Sequence, residues 1–534
     1  MLHSLLSKGI RRKSVSSLQG STETESGPQL KRVLSATDLF VAGLGCIIGA
    51  GIFVLTGVAA AEHAGPAIIV SFALAAFVCA LVALAYAELA SMIPVSGSAY
   101  TYAYATLGEF LAWIIGWDLL LEYAVGSSAV AVGWSGYLQA VLKGGGIQLP
   151  AALGHAPEAL PVVPVLLSVC AFLVGGYLVD RAVKMFRKKT TASTILQSPK
   201  LSAVVGGALL VFGLVEGIIA GTALASVDIL AVLIVVAINV LLVVGIKIAA
   251  RATMYLVVVQ SFVILLFIAI GMWHIDPANF TPFMPFGVGG IVTGAAIVFF
   301  AYIGFDSVTT LAEECKNPQR DLPRGILWSL VVCTLLYMVM ASVMAGALTY
   351  SKLGTEAPVA TVLEHIGNKW AVPIVSIGAL AGLTSTLLVL LLGQSRIMMR
   401  MSKDGLLSLR VGEISPRFNT PVRAIVILGS LVAICAGILP IGELAELCNI
   451  GTLAAFVVVC LGVIILRYKE PERKRLFRCP LSPWLPALGT LVCVGLMLSL
   501  PMLTWIRFLV WMALGILIYA VYGARHSRLN KQTD

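Results

Sequence analysis

The segment ATDLFVAGLGCIIGAGIFVLTGVAA, residues 36–60, is apolar, long enough to cross a bilayer, and carries glycine at 43, 45, 49 and 51. About 20 apolar residues make a transmembrane helix, and each internal glycine weakens a helix by about 1 kcal/mol relative to alanine. A span that had only to sit in lipid would gain nothing from four such positions. Backbone that leaves the helix at membrane depth survives only where protein or a water-filled cavity surrounds it. The segment therefore reads as a broken span, whose freed N–H groups offer a site to an anionic group.

It is one of a series. Further apolar segments lie near 66–92, 109–140, 161–179, 203–222, 226–247, 252–273, 288–310, 325–348, 371–395, 421–440, 444–467, 482–500 and 503–522. Across the 534 residues, 12% are charged and 59% hydrophobic, whereas soluble domains carry about 25% charge. Fourteen spans in an all-α integral membrane protein are expected. The formal charge of +10 sits in short stretches between apolar runs, which is the positive-inside pattern and not a nucleic-acid footprint. Alternation from a cytoplasmic N-terminus (Arg11, Arg12, Lys13, Lys31, Arg32) puts the basic loops 181–200, 315–324, 400–419, 467–478 and 524–531 on one side. The loops 141–160 and 274–287 on the other side are nearly free of Lys and Arg. Both termini are thus expected in the cytoplasm. Compact loops make a bacterial cytoplasmic membrane the default, and no apolar h-region marks a cleaved signal. The ten cysteines are scattered singly without CxxC spacing, so neither a disulfide framework nor a metal site follows. No cofactor is expected.

A second interrupted segment, VGGIVTGAAIVFFAYIGFDSVTT at 288–310, holds Gly304 and Asp306 deep within it. Broken spans at matching places in two five-span blocks are the sequence pointer to an inverted-repeat transporter. The match requires 161–222 to be set aside as an inserted hairpin. The chain then divides into a basic segment 1–35, three spans over 36–160, the hairpin with its basic loop at 161–222, and two spans over 223–273. A second repeat follows over 288–467, then two peripheral helices over 479–522 and a tail at 523–534.

The stretches GLGCIIGAGIFVLTGVAAAEHAGPA (43–67), YAELASMIPVSGSAYTYAYATLGEFLAWIIGWDLLLEY (86–123) and FFAYIGFDSVTTLAEECKNPQRDLPRGI (299–326) carry a resemblance. So do SRIMMRMSKDGLL (395–407), NIGTLAAF (449–456) and TWIRFLVWMALGILIYAVYG (504–523). They resemble the amino acid–polyamine–organocation superfamily, in its cationic amino acid transporter branch with its bacterial relatives. The resemblance covers most of the chain outside 1–30 and 161–222. It implies the five-plus-five inverted-repeat (LeuT-type) fold with two added C-terminal helices, moving amino acids by alternating access.

Carried onto these positions, the resemblance places a substrate carboxylate at the backbone of Ile47, Gly49, Ala50 and Gly51, and an ammonium at carbonyls around Phe300, Ala301 and Ile303. Donors freed at a break would otherwise go unsatisfied, and half-helix C-terminal ends suit a cation. The competing view is that the glycines only permit close helix packing.

Glu122 lies inside the third span, where an ionised carboxylate costs about 3 kcal/mol on insertion scales. It is read as a group that attracts a cationic substrate or carries a proton, against a carboxyl satisfied by Tyr123 or Ser127. Asp118 either faces the outer wall or pairs locally. Glu88 reads as a structural or gating group near the cytoplasmic end. Glu313 and Glu314 are expected to be solvated or paired with Arg320 or Arg324, with a role as an inner latch open to them.

Bacterial relatives that run on protons tend to carry a lysine in the fifth span, in the place of a sodium ion. Alignment puts Gln260 there. A glutamine cannot titrate, which leaves facilitation, exchange or coupling through Glu122. Sodium stays open through Gln260 with Thr309 or Thr310, as does a plain interhelical hydrogen bond of about 0.6 kcal/mol. Leu390, if it faces the site, would crowd a guanidinium, so small neutral amino acids such as alanine fit better than arginine.

The alternatives are a cationic facilitator or exchanger, and a sensor that binds without transport. A membrane enzyme would need an Asp-rich metal motif or a His/Ser/Asp constellation. His63 and His274 at span ends and His365 in a loop supply none. The partners expected are thus an amino acid, membrane lipid and candidate protons. A protein contact at hairpin 161–222 is weighed against a passive lipid-facing addition.

Overall fold

Capping residues and apolar runs set the helix limits. Ser35 and Asp38 cap each other's backbone N–H groups in a reciprocal box that starts α1 (Ala36–Ile47), as Ser-x-x-acid spacing predicts. α2 (Ile68–Met92), the short α3 (Ser98–Thr106) and α4 (Glu109–Gly144) follow. Next come α5 (Ile229–Val244) and α6 (Ile246–Gly271), then α7 (Gly287–Val298), α8 (Pro318–Ala347) and the short α9 (Pro358–His365). α10 (Ala371–Lys403), α11 (Val422–Ile438), α12 (Ile441–Lys469), α13 (Trp484–Leu498) and α14 (Met502–Ile518) complete the order. This is a computed structural model, and it describes residues 34–147 except Ser96, 150, 154, 227–415 except 245 and 356, 418, and 420–528. The expected hairpin 161–222, the N-terminal segment before Leu34 and the last six residues lie outside the described residues.

Among the described residues, eight helical stretches are long and apolar enough to cross a membrane, and three apolar helices (α5, α11, α13) are shorter. The longest stretch, Ala36–Met92, has 57 residues and holds two spans joined at a tight turn, Gly65–Ala67. Each expected span outside 161–222 falls on one of these helices. α8 and α10 run beyond their apolar runs. Pro318 is tolerated at a first helical position, and Arg400 and Lys403 complement the C-terminal dipole of α10. No strand occurs among the described residues, only an isolated bridge between Leu34 and Cys315.

Two spans are broken. α1 ends where Ile48 turns extended (φ −77°, ψ 94°), and helix resumes as a wide π-type turn over Gly51–Leu55. After α7 a tight turn covers Phe299–Tyr302, Ile303 is extended (ψ 135°), and a 3-10 segment runs over Asp306–Glu314.

The two broken spans lie at the centre. α1 packs on α8 and α7 packs on α2; α4 packs on α12 and α10 on α6; α2 meets α8, α4 meets α10, and α5 meets α11. The short α3 packs on α4, α12 and the 3-10 half of the second broken span; the short α9 packs on α10, α6 and the π-type half of the first. α13 and α14 flank α12. Outer faces are apolar and exposed, as at Leu233, Phe262, Trp328, Leu491 and Leu509, which suits a lipid solvent.

The basic joints gather at one end of the bundle, called here the basic end. There the fully buried Glu88 accepts from Arg467 at 3.0 and 2.6 Å and from the Cys479 backbone at 2.7 Å, with Arg475 at 3.2 Å. Glu88 thus ties α2 to the joint after α12. Glu109 accepts from Tyr104 and Tyr519, each at 3.0 Å, and from Ser527, which seats the end of the chain beside the start of α4.

Candidate functional site

The two breaks touch. A Cβ built on Gly51 would lie 2.1 Å from the Ala301 Cα, and one on Gly304 would lie 2.5 Å from the Cys46 sulfur. Gly304 also has φ +116°, a conformation that glycine adopts at little cost. Gly43 and Gly45 do a different job: their missing side chains admit Ser329 and Ser385, each at 2.7 Å. Close packing therefore explains Gly43 and Gly45, while Gly49 and Gly51 sit at the break itself.

Freed carbonyls find partners on neighbouring helices. The Tyr337 hydroxyl of α8 lies 2.7 Å from the Ile47 carbonyl and 3.1 Å from that of Ala301, bridging both breaks. Ser385 donates to Gly45, and Thr386 sits 3.0 Å from the carbonyls of both Gly45 and Ile48. Asn449 donates to the Ala296 carbonyl at 2.7 Å.

Between the breaks is a closed cavity that admits the centre of a water-sized sphere over about 10 Å³, room for about one water. Ile47, Gly49, Ala50, Gly51, Glu122, Phe300, Ile303 and Leu390 all line it. Of the residues expected there, Ala301 lies just outside, packed on Gly51 with its carbonyl facing Tyr337. Gln260 is also outside; it is fully buried, its Oε1 2.7 Å from where a Cβ on Gly382 would stand. Neither amide atom of Gln260 finds a hydrogen-bond partner among the described residues. Thr309 and Thr310 bond carbonyls of their own turn.

The lining also includes Cys46, Tyr123, Gly126, Val130, Thr386 and Cys448, which the sequence reading missed. Gly126 and Val130 follow Glu122 at four-residue steps, and Thr386 precedes Leu390 by four. One helix face was therefore the available signal.

Glu122 is 1% exposed, and neither carboxylate oxygen has a hydrogen-bond partner among the described residues. Of the hydroxyls weighed as its partners, neither Tyr123 nor Ser127 bonds it. The Tyr123 hydroxyl donates to Asp306 at 3.1 Å and contacts Ser307 at 2.9 Å, and Ser127 has no partner among the described residues. Asp306 also accepts from Ser98 at 3.1 Å. Asp118 neither faces outward nor pairs among the described residues: it is 1% exposed, its Oδ1 2.8 Å from where a Cβ on Gly451 would stand. A buried carboxyl without a partner is costly; a proton or a substrate ammonium would supply what Glu122 lacks.

A model of the amino acid permease family matches residues 34–522. The chain belongs to the amino acid permease family. It is similar to the branched-chain amino acid permease BcaP of Bacillus subtilis, 43% identical over 98% of this chain and 99% of that one. It is also similar to the methylthioribose transporter of the same organism, at 40% identity over 98% and 100% of the two chains. The vacuolar cationic amino acid transporter 4 of Arabidopsis thaliana is 37% identical over 87% of this chain and 68% of its own. The permease is thus a multi-pass membrane protein that transports amino acids, and its relatives are transporters and not enzymes.

The permease seals its cavity unequally. Toward the basic end lies an aromatic layer in which Tyr86 meets Tyr102, Phe305 and Phe456 edge to face and Phe305 lies tilted on Phe456, with ring centroids 5.2–5.9 Å apart. Beyond it the buried Arg396 of α10 pairs with Glu314 at 2.7 Å, so Arg320 and Arg324 are not its partners as sequence proximity suggested. Leu34 then bonds the backbone on either side of Cys315, at 2.9 Å each. Toward the other end the barrier is thin: Tyr137 donates to the Phe53 carbonyl at 2.7 Å, and Val54 abuts Gly133. A second cavity lies just beyond, with about 240 Å³ open to water-sized centres, between Val54, Gly133, Gln139, Asp228 and Thr355.

Proposed function

We propose that the permease carries neutral L-amino acids with small or branched apolar side chains across the cytoplasmic membrane by alternating access. The carrying observation is the cavity lining. Val130, Phe300, Ile303, Leu390 and Cys448 supply its wall, and Glu122 is its one acidic side chain. A guanidinium would need several acceptors that this wall does not offer. The likeness to a permease named for branched-chain amino acids points the same way.

Alternating access rests on a five-plus-five reading with fourteen spans, 36–160 and 223–273 forming one repeat and 288–467 the other. It is supported by the packing: exchanging α1 for α7, α2 for α8, α4 for α10, α5 for α11 and α6 for α12 turns the principal helix contacts into one another. α3 and α9 exchange too, one on each broken span. In this reading 161–222 is an inserted hairpin, 479–522 a peripheral pair, and the segments 1–35 and 523–534 are cytoplasmic with the basic end. The substrate carboxylate meets N–H groups at Gly49, Ala50 and Gly51, and the ammonium meets the second break with Glu122 nearby. Glu122 is also the proton carrier, since Gln260 cannot titrate.

The cationic reading draws on Glu122 and on the transporter named for cationic substrates. Uptake of radiolabelled valine, alanine and arginine into proteoliposomes, with and without an inward proton gradient, separates the two. Gradient-driven valine or alanine uptake is expected. Arginine uptake indifferent to the gradient would overturn the assignment.

A further inference from the structure

Along α8, Arg320, Arg324, Trp328 and Val332 follow at four-residue steps, which places them on one helix face. Arg320 and Arg324 are exposed, Trp328 is 63% exposed and Val332 is half-buried. A rise of about 1.5 Å per residue makes this stripe about 18 Å long. From the basic end inward it reads cation, cation, indole, aliphatic. That is the order of headgroup, interface and acyl chain in one leaflet.

Arg324, Trp328 and Val332 form one wall of a groove with about 280 Å³ open to water-sized centres, and Ala36, Thr37 and Phe40 of α1 form the other wall; Arg320 stands one turn beyond it. Among the described residues no acidic side chain lines it. Asp38 is engaged with Ser35 and Glu314 with Arg396. Arg320 and Arg324 make no ion pair among the described residues. Arg320 sits in the first turn of α8, where the helix dipole disfavours a cation. Its placement costs helix stability, and an anion beside it offsets that cost.

We propose that this groove binds one anionic phospholipid from the leaflet at the basic end. Its phosphate lies between Arg320, Arg324 and the Thr37 hydroxyl, and an acyl chain runs along Phe40, Trp328 and Val332. The chain's own N-terminal segment is the poorer occupant, because it is itself basic, with Lys31 and Arg32 among its residues. The lipid bridges α8 and the first half of the broken span, so it braces the element that must move when the cavity opens.

The test uses full-length permease in nanodiscs of phosphatidylcholine alone or with phosphatidylglycerol, reading retained lipid by native mass spectrometry and thermal unfolding in each. Phosphatidylglycerol is expected to be retained and to raise the unfolding temperature. R320Q/R324Q should weaken its retention about 30-fold, at about fivefold per cation, and K474A at another basic joint should not. Equal unfolding of R320Q/R324Q and parent in phosphatidylcholine establishes that the variant is folded; if it is not, W328A, which keeps both cations, must lose retention. The proposal fails if the folded variant keeps phosphatidylglycerol as the parent does. It fails equally if inorganic phosphate alone reproduces the stabilisation, or if retention arises only after residues 1–33 are deleted.

Discussion

Tyr337 offers the sharpest test of the broken-span geometry. Its hydroxyl has one proton and lies 2.7 Å from the Ile47 carbonyl and 3.1 Å from that of Ala301. Tyr337→Phe keeps the ring, whose contacts with Phe72 at 5.6 Å and Tyr302 at 5.4 Å hold its place. What is lost is the donor, leaving a fully buried carbonyl unpaired at a cost of about 1–3 kcal/mol. The break is the cavity wall, so that cost falls on the conformation able to bind substrate. Apparent affinity then drops by the fraction still competent, about 5- to 150-fold. The assay is binding of radiolabelled valine to purified permease, alongside thermal unfolding. A folded Tyr337→Phe variant that binds like the parent would refute the claim that this hydroxyl holds the two breaks together.

Other substitutions probe the same arrangement. Glu122→Gln should abolish gradient-driven uptake in proteoliposomes while leaving substrate exchange, and retained gradient dependence would place the coupling proton elsewhere. Leu390→Ala should admit bulkier side chains, read as a shift in competition from alanine toward phenylalanine, with a stability loss of about 2–5 kcal/mol. Gly51→Ala drives a methyl group against the Ala301 backbone, 2.1 Å from its Cα. A loss of at least about 1–3 kcal/mol in thermal unfolding is expected. Glu314→Gln leaves Arg396 without its partner, a change worth about 3–5 kcal/mol in a buried pair. It should hasten alkylation of the buried Cys315 by a maleimide applied at the basic end; an unchanged rate would remove Glu314 from the seal.

Local signals were readable where one segment alone determines the outcome. Gly49 and Gly51 in 36–60 and Gly304 in 288–310 mark the breaks because unwinding is a property of the segment itself. The lining at Ile47 through Gly51, Glu122, Phe300, Ile303 and Leu390 followed. What escaped depends on the relative rotation and depth of helices distant in sequence. Glu314 was expected to meet Arg320 or Arg324, close in sequence, yet packing brings it Arg396 from α10. Gly43 and Gly45 looked like part of the break but serve contacts with Ser329 and Ser385. Tyr337, Thr386 and Asn449 could not be named, because nothing in their own helices says which carbonyl lies opposite. Whether Gln260 meets Thr309 or Thr310 stays open from sequence alone; in the structure its amide abuts Gly382.

The unequal seals make the two openings unequal in rate, whereas the gradients of substrate and ion set the direction of net flux. Opening toward the far end disturbs the Tyr137 bond to Phe53 and its ring contact, the contact of Val54 with Gly133 and the packing of Gly57 on Leu353 and Pro358. Opening toward the basic end must part an aromatic layer, a buried ion pair and a backbone bridge together. The first is the shallower barrier and the second the steeper. A carrier built this way loads quickly and unloads slowly, and warming should speed its net turnover far more than its capture of substrate.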